Sequence, residues 1–212
     1  MQLKLYVLSL FMISSQIADA QSSDSIPGEY HLQGVMETAS AILLKPDSTF
    51  ELYFSYGAMD RNGHGKWQFQ NGKIVLNSRP KPERDFALVA SKTASDDFTT
   101  VKIVDSNAQV LPFFETLIKT AGGEKYGKMN QEGVFQIPKT KTTGIDLFFT
   151  LAPERYTSFP VQSDDNYFEF RIEPWIIEIF VENVILKPGE NGALTGEHPL
   201  LKGDAFSYEK MK

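Results

Sequence analysis

Apolar and polar residues alternate along most of this chain, in short bursts separated by turn residues. The clearest burst is 49–56, where Phe50, Leu52 and Phe54 alternate with Glu51, Tyr53 and Ser55. A period of two puts one set on a buried face and the other in water, which is the pattern of a half-buried strand. Residues 40–44 and Lys45-Pro46-Asp47-Ser48 come just before it. Proline presets φ and aspartate bonds back to the backbone, so these segments predict a hairpin. Residues 66–70 and 73–76 flank Asn71-Gly72, the dipeptide that suits a two-residue hairpin turn. Residues 29–34, with Tyr30 and Leu32 on one face, predict the strand that opens the series. The glycine-rich stretch 57–65 predicts a loop.

Residues 79–84 interrupt this pattern with Pro80, Pro82 and several charges, and predict an extended linker. A second β series follows at 86–91, 98–105, 113–120, 133–137, 145–151, 166–172 and 176–186, with a closing strand at 205–209. In 176–186, Ile177, Ile179 and Val181 oppose Glu178 and Glu182, which predicts a long strand with one wet face. No segment after residue 20 keeps a helical period over three turns. Many short strands between turn signals predict an all-β protein, a small antiparallel meander or partial barrel followed by a β-sandwich. The boundaries read from this are a leader at 1–20, a flexible stretch at 21–27, the meander at 28–78, a linker at 79–85 and the sandwich at 86–212.

Residues 1–20 carry a different pattern. Lys4 precedes a mostly apolar run at 5–13, and Ala18-Asp19-Ala20 fits a small-residue cleavage site before Gln21. That is the form of a secretory signal peptide. The alternative, a membrane anchor, needs roughly 20 apolar residues, more than this run offers. The later apolar stretch 175–184 is broken by Glu178 and Glu182. The expected destination is therefore periplasmic or extracellular, with no transmembrane segment once the leader is removed. The chain has no cysteine. It is thus expected not to be a lipoprotein and to be held by packing without disulfides. The formal charge of −6 disfavours nucleic acid, which calls for clustered Lys and Arg.

Two stretches resemble known families. Gly28-x-Tyr30, Leu43-x-Lys45-Pro46-Asp47-x-x-Phe50, Gly65-x-Trp67 and Ile74-Val75-Leu76 resemble the opening meander of lipocalin-like bacterial envelope proteins, with Ser48 where that pattern prefers glycine. Val101-x-Ile103-x-Asp105-x-Asn107, Leu111-Pro112 and Asn130-x-Glu132-Gly133-Val134-Phe135-x-Ile137-Pro138 are similar to transthyretin-like and carboxypeptidase-regulatory-like sandwiches. The second resemblance implies an accessory or interaction domain and no chemistry of its own.

The most site-like stretch is 56–67, where Tyr56, Asp60, His64 and Trp67 stand among three glycines. Polar groups beside aromatics at a sheet end could grip a sugar or small polar ligand. The same residues also suit a plain β-connection with Trp67 in the core. Asp60, Asn62 and His64 alternate, but they lack the further acids of a calcium loop and the extra His or Cys of a zinc site. Neither a metal nor a cofactor is expected. Tyr167-Phe168-Glu169-Phe170 and Trp175 read either as an exposed stacking platform or as the inner face of a sandwich. Glu37, Glu51, Asp146, Glu169, Glu173 and Glu178 leave a two-carboxylate hydrolase on cell-wall polymers open, and no G-x-S-x-G motif is present. The expected function is an exported non-catalytic binding or protein-interaction module with a protein, small-molecule or glycan partner. The alternative is a carrier that holds a small apolar ligand or sugar between the two β parts.

Overall fold

The computed structural model describes residues 25–57, 59–95, 97–203 and 205–211, and the expected leader at 1–20 lies outside them. The described chain is all-β. Five strands form the predicted meander: β1 (Gly28–Gln33), β2 (Thr38–Leu44), β3 (Thr49–Tyr56), β4 (Met59–Gln70) and β5 (Lys73–Ser78). Their turns follow the local chemistry. Asn71 and Gly72 both take positive φ, 52° and 73°, as a hairpin turn between right-twisted strands requires. At the β2–β3 turn, Asp47 Oδ1 accepts the Thr49 amide at 3.0 Å. Ser48 there sits at φ 65°, the conformation that favours glycine.

Residues 79–85 lead into eight strands: β6 (Phe86–Lys92), β7 (Phe98–Val104), β8 (Phe114–Thr120), β9 (Gly123–Lys128), β10 (Val134–Pro138), β11 (Thr142–Phe149), β12 (Tyr156–Pro160) and β13 (Tyr167–Ile172). They form two four-stranded sheets, ordered β10-β7-β13-β6 and β12-β11-β8-β9. Val101, Ile103, Ile118, Ile145, Leu147 and Phe170 are fully buried between them. The aromatic run thus takes the inner-face position, with Phe168 and Phe170 in the core.

The last three strands correct the expected boundaries. β14 (Val184–Pro188), β15 (Leu194–Gly196) and β16 (Phe206–Lys210) leave the sandwich and return to the meander. The wall then closes as β1-β16-β15-β14-β5-β4-β3-β2, an eight-stranded antiparallel barrel. The sandwich therefore ends at Ile172 and is an insertion between β5 and β14. The physical reason is edge pairing. Five strands leave the outer edges of β1 and β5 unpaired, and β16 and β14 cover them. Inward Val184, Leu186, Leu194 and Tyr208 complete one core with Tyr30, Ile42, Leu52, Trp67 and Ile74. An eight-stranded barrel has room inside for side chains, and here they fill it.

Three further expectations are corrected. Residues 59–65 are strand, since inward glycines allow close packing there. A Cβ on Gly63 would lie 2.5 Å from the Ile179 carbonyl oxygen, and one on Gly65 would lie 2.2 Å from that of Asn77. Residues 176–183 are not a strand. Ile176 packs into the sandwich core while Ile179 and Val181 pack into the barrel core, so one segment serves two interiors. Residues 25–27, expected within a flexible stretch, are tied down. Ile26 is buried in the barrel core and its carbonyl accepts the Tyr30 hydroxyl at 2.6 Å.

Ser48→Gly relieves the left-handed turn without removing a contact of the Asp47 carboxylate. It should raise unfolding free energy by up to about 1 kcal/mol. Urea denaturation checks this, and an unchanged or lower midpoint would contradict the strain assigned to Ser48.

Candidate functional site

The four residues singled out in the sequence do not converge. β4 alternates, so Asp60 and His64 face outward while Trp67 faces inward. Trp67 is a core residue whose indole N–H donates to the Lys45 carbonyl at 2.9 Å. Asp60 accepts the Tyr53 hydroxyl at 3.1 Å on the outer wall. His64 Nε2 lies 3.8 Å from the Glu178 carboxylate. Tyr56 ends β3 and is exposed, close to the inserted sandwich. A groove of about 560 Å³ on the outer wall runs past Glu29, Ala41, Glu51, Tyr53 and His64. It is shallow, and its charges are largely occupied, with Glu29 on His31 and Glu51 on Lys45.

The densest chemistry lies at the seam between barrel and sandwich. Arg61 shares the inward parity of Met59 and is 4 % exposed. Its guanidinium donates to the carbonyls of Ile177 at 3.2 Å and Glu178 at 3.4 Å, and to the Glu154 carboxylate at 2.5 Å. Arg155, 2 % exposed, donates to Asp85 at 3.3 Å and also to the Glu178 carbonyl. Arg79 reaches the Glu178 carboxylate with two nitrogens, at 2.6 and 3.3 Å. Arg79 and Arg155 each place a guanidinium carbon 5.0 Å from the Phe180 ring centre. Glu178, expected on a wet face, is buried and joins three arginines.

The pairing of this buried charge is incomplete. Asp85 Oδ2 and Arg155 Nε make no hydrogen bond. Each does face an opposite charge, Lys81 at 3.2 Å and Glu154 at 3.6 Å. Burial pushes the Arg155 pKa down, and Asp85 works against that. Burial is the largest single influence on the Glu154 carboxyl and raises it, but the hydrogen bond from Arg61 and the charges of Arg61 and Arg155 together outweigh it and leave the group below its ordinary value.

Beside this network a cleft of about 240 Å³ opens between the two parts. The barrel supplies Phe54, Tyr56, Met59, Leu200 and Leu201, and the sandwich supplies Leu151 and Pro153. Arg61 and its partner Glu154 also line it. The Leu200–Leu201 wall is held by His198, whose Nδ1 accepts both of their amides at 3.1 and 3.2 Å. With Nδ1 so used, Nε2 carries the proton and donates to Ser40 Oγ at 3.1 Å. Phe54 and Phe206 flank the ring, and burial brings its pKa down to about 4.

The parity of β4 marks Arg61 as an inward arginine once 59–65 is read as strand. Glu154, Arg155 and His198 have no comparable mark in the sequence, because their partners are distant in the chain. Among the described residues no group of three or more His, Cys, Asp or Glu side chains is placed to hold a metal. Among them, too, no helix is long and apolar enough to cross a membrane. Comparison with protein-family models, curated proteins and solved structures gives no significant match.

Two outcomes follow. Arg155→Ala leaves buried Asp85 with Lys81 alone and takes a donor from the Glu178 carbonyl, and should cost about 3–5 kcal/mol in chemical denaturation. Lys141→Ala, which breaks the exposed Lys141–Asp164 pair, should cost less than about 1 kcal/mol. Equal costs would contradict the importance given to burial. The folded state keeps His198 neutral while the unfolded state protonates it below its ordinary value of 6.5. Its contribution is therefore full above about pH 6.5 and falls by about 1.4 kcal/mol per pH unit as pH drops towards 4. Wild type should lose more stability over that window than His198→Gln. Parallel curves would refute the assignment.

Proposed function

We propose that this chain is an exported, non-catalytic binding protein of the cell envelope that holds a small ligand between barrel and sandwich. One observation carries the reading: the seam cleft has apolar walls from both parts and a buried arginine at its side. Few polar groups among many apolar ones is the usual make-up of a small-molecule site. The barrel interior is filled by its own side chains, so the ligand-holding role falls to the seam. The volume suits one ring or a short acyl chain better than a larger molecule. The signal-like pattern of residues 1–20 supports export to a periplasmic or extracellular setting.

The test is a fragment screen followed by NMR mapping on the purified protein. A bound fragment should shift Leu151, Leu200 and Leu201, and raise stability by ~2.7 kcal/mol at a hundredfold excess over Kd. Leu200→Trp, which fills the cleft, should weaken binding at least about tenfold while costing the fold no more than ~1–3 kcal/mol. Binding that maps to Tyr53, Asp60 and His64 would move the site to the outer wall. No binding at either place would remove the ligand-holding reading.

A further inference from the structure

Resting on that reading, we infer that the cleft takes a small carboxylate with an apolar body, and that Glu154 is a built-in stand-in for the ligand's acid group. Arg61 is a fixed cation at the side of a recess that, Glu154 and Tyr56 apart, is apolar. Its position does not depend on Glu154 alone, because the Ile177 and Glu178 carbonyls of the crossing segment also hold the guanidinium. Glu154 is the opposite kind of group. Its side chain is 46 % exposed and it lies in the connection between β11 and β12. A departing Glu154 returns to water, so it recovers hydration as Arg61 changes partner.

A ligand carboxylate would accept the same Arg61 Nη2 proton that Glu154 accepts now. Arginine suits this exchange, since its planar fork recognises carboxylates and stays charged when buried. The ligand's apolar part would then cover Phe54, Met59 and Leu151, which Glu154 cannot do. The seam's charge favours an anion as well. Arg61, Arg79, Lys81 and Arg155 face Asp85, Glu154 and Glu178, one more cation than carboxylate, on a chain of formal charge −6. A neutral ligand gains none of this and leaves Glu154 in place.

This is a self-competition, and its arithmetic is simple. If Glu154 occupies Arg61 for most of the time, apparent affinity falls by the fraction of time the arginine is open. Removing the Glu154 charge removes that loss for anions alone.

The experiment titrates benzoate and hexanoate against benzamide and hexanol, using wild type and Glu154→Gln, with amide and arginine Nε NMR shifts as the readout. Carboxylates should bind in the cleft about tenfold tighter than their neutral counterparts. Glu154→Gln should tighten them by a further ~5–10-fold relative to the neutral probes. The glutamine amide oxygen keeps an acceptor beside Arg61, and the variant's thermal transition checks that it is folded. Equal binding of acids and neutral probes in the cleft would overturn the inference and leave the binding reading standing. So would a Glu154→Gln variant that does not favour acids. Acid binding mapped to surface lysines overturns it as well. If no probe shifts a cleft residue, both the inference and the reading fall.

Discussion

The fold depends on where two buried arginines find acceptors. Arg61 comes from the barrel and Arg155 from the sandwich, and both donate to the carbonyl of Glu178. A guanidinium taken out of water costs several kcal/mol unless its donors are used. The backbone at 176–183 therefore has to pass between the two parts. Once it does, Ile176 falls into one core, Ile179 and Val181 fall into the other, and β14 is delivered beside β5. One peptide carbonyl thus couples the insertion of the sandwich to closure of the barrel.

The same crossing makes the cleft. Two β units packed face to face would bury their apolar ends completely. Here the charged network holds the seam on one side. Tyr56, Leu151, Leu200 and Leu201 meet imperfectly on the other. His198 then fixes the leucine wall with two backbone bonds, so the opening has a defined shape. The recess follows from satisfying buried charge first and packing apolar surface around it.

How much of this was legible in the sequence depends on chain distance. The Asn71-Gly72 and Lys45–Ser48 turns and the alternation of 49–56 are local, and each appears as the residues predict, while residues 79–85 carry no strand. Residues 57–65 misled because glycine signals both flexibility and close approach, and only the carbonyls of Ile179 and Asn77 decide between them. Residues 176–186 misled for a related reason. Glu178 and Glu182 alternate with apolar residues as on a wet strand, yet the Glu178 side chain is paired with Arg79. Of the candidate residues, Trp67 took its core role, and Asp60 and His64 landed on the outer wall. The closing strand at 205–209 is legible and stands as β16, but its barrel partners are not, because β14 and β16 pair with segments more than a hundred residues away, as Lys210 does with Tyr30.

That last pairing orders events in time. The first barrel strand meets its final neighbour only when β16 is available, whereas the inserted unit is contiguous from Phe86 to Ile172. A chain emerging N-terminus first can complete the insertion while five earlier strands wait with open edges. Loop-closure entropy makes such distant pairing slow, and unpaired edges are templates for aggregation. A half-built form, with a finished middle and an unsealed cylinder, would expose the strand edges that β14 and β16 cover in the finished fold.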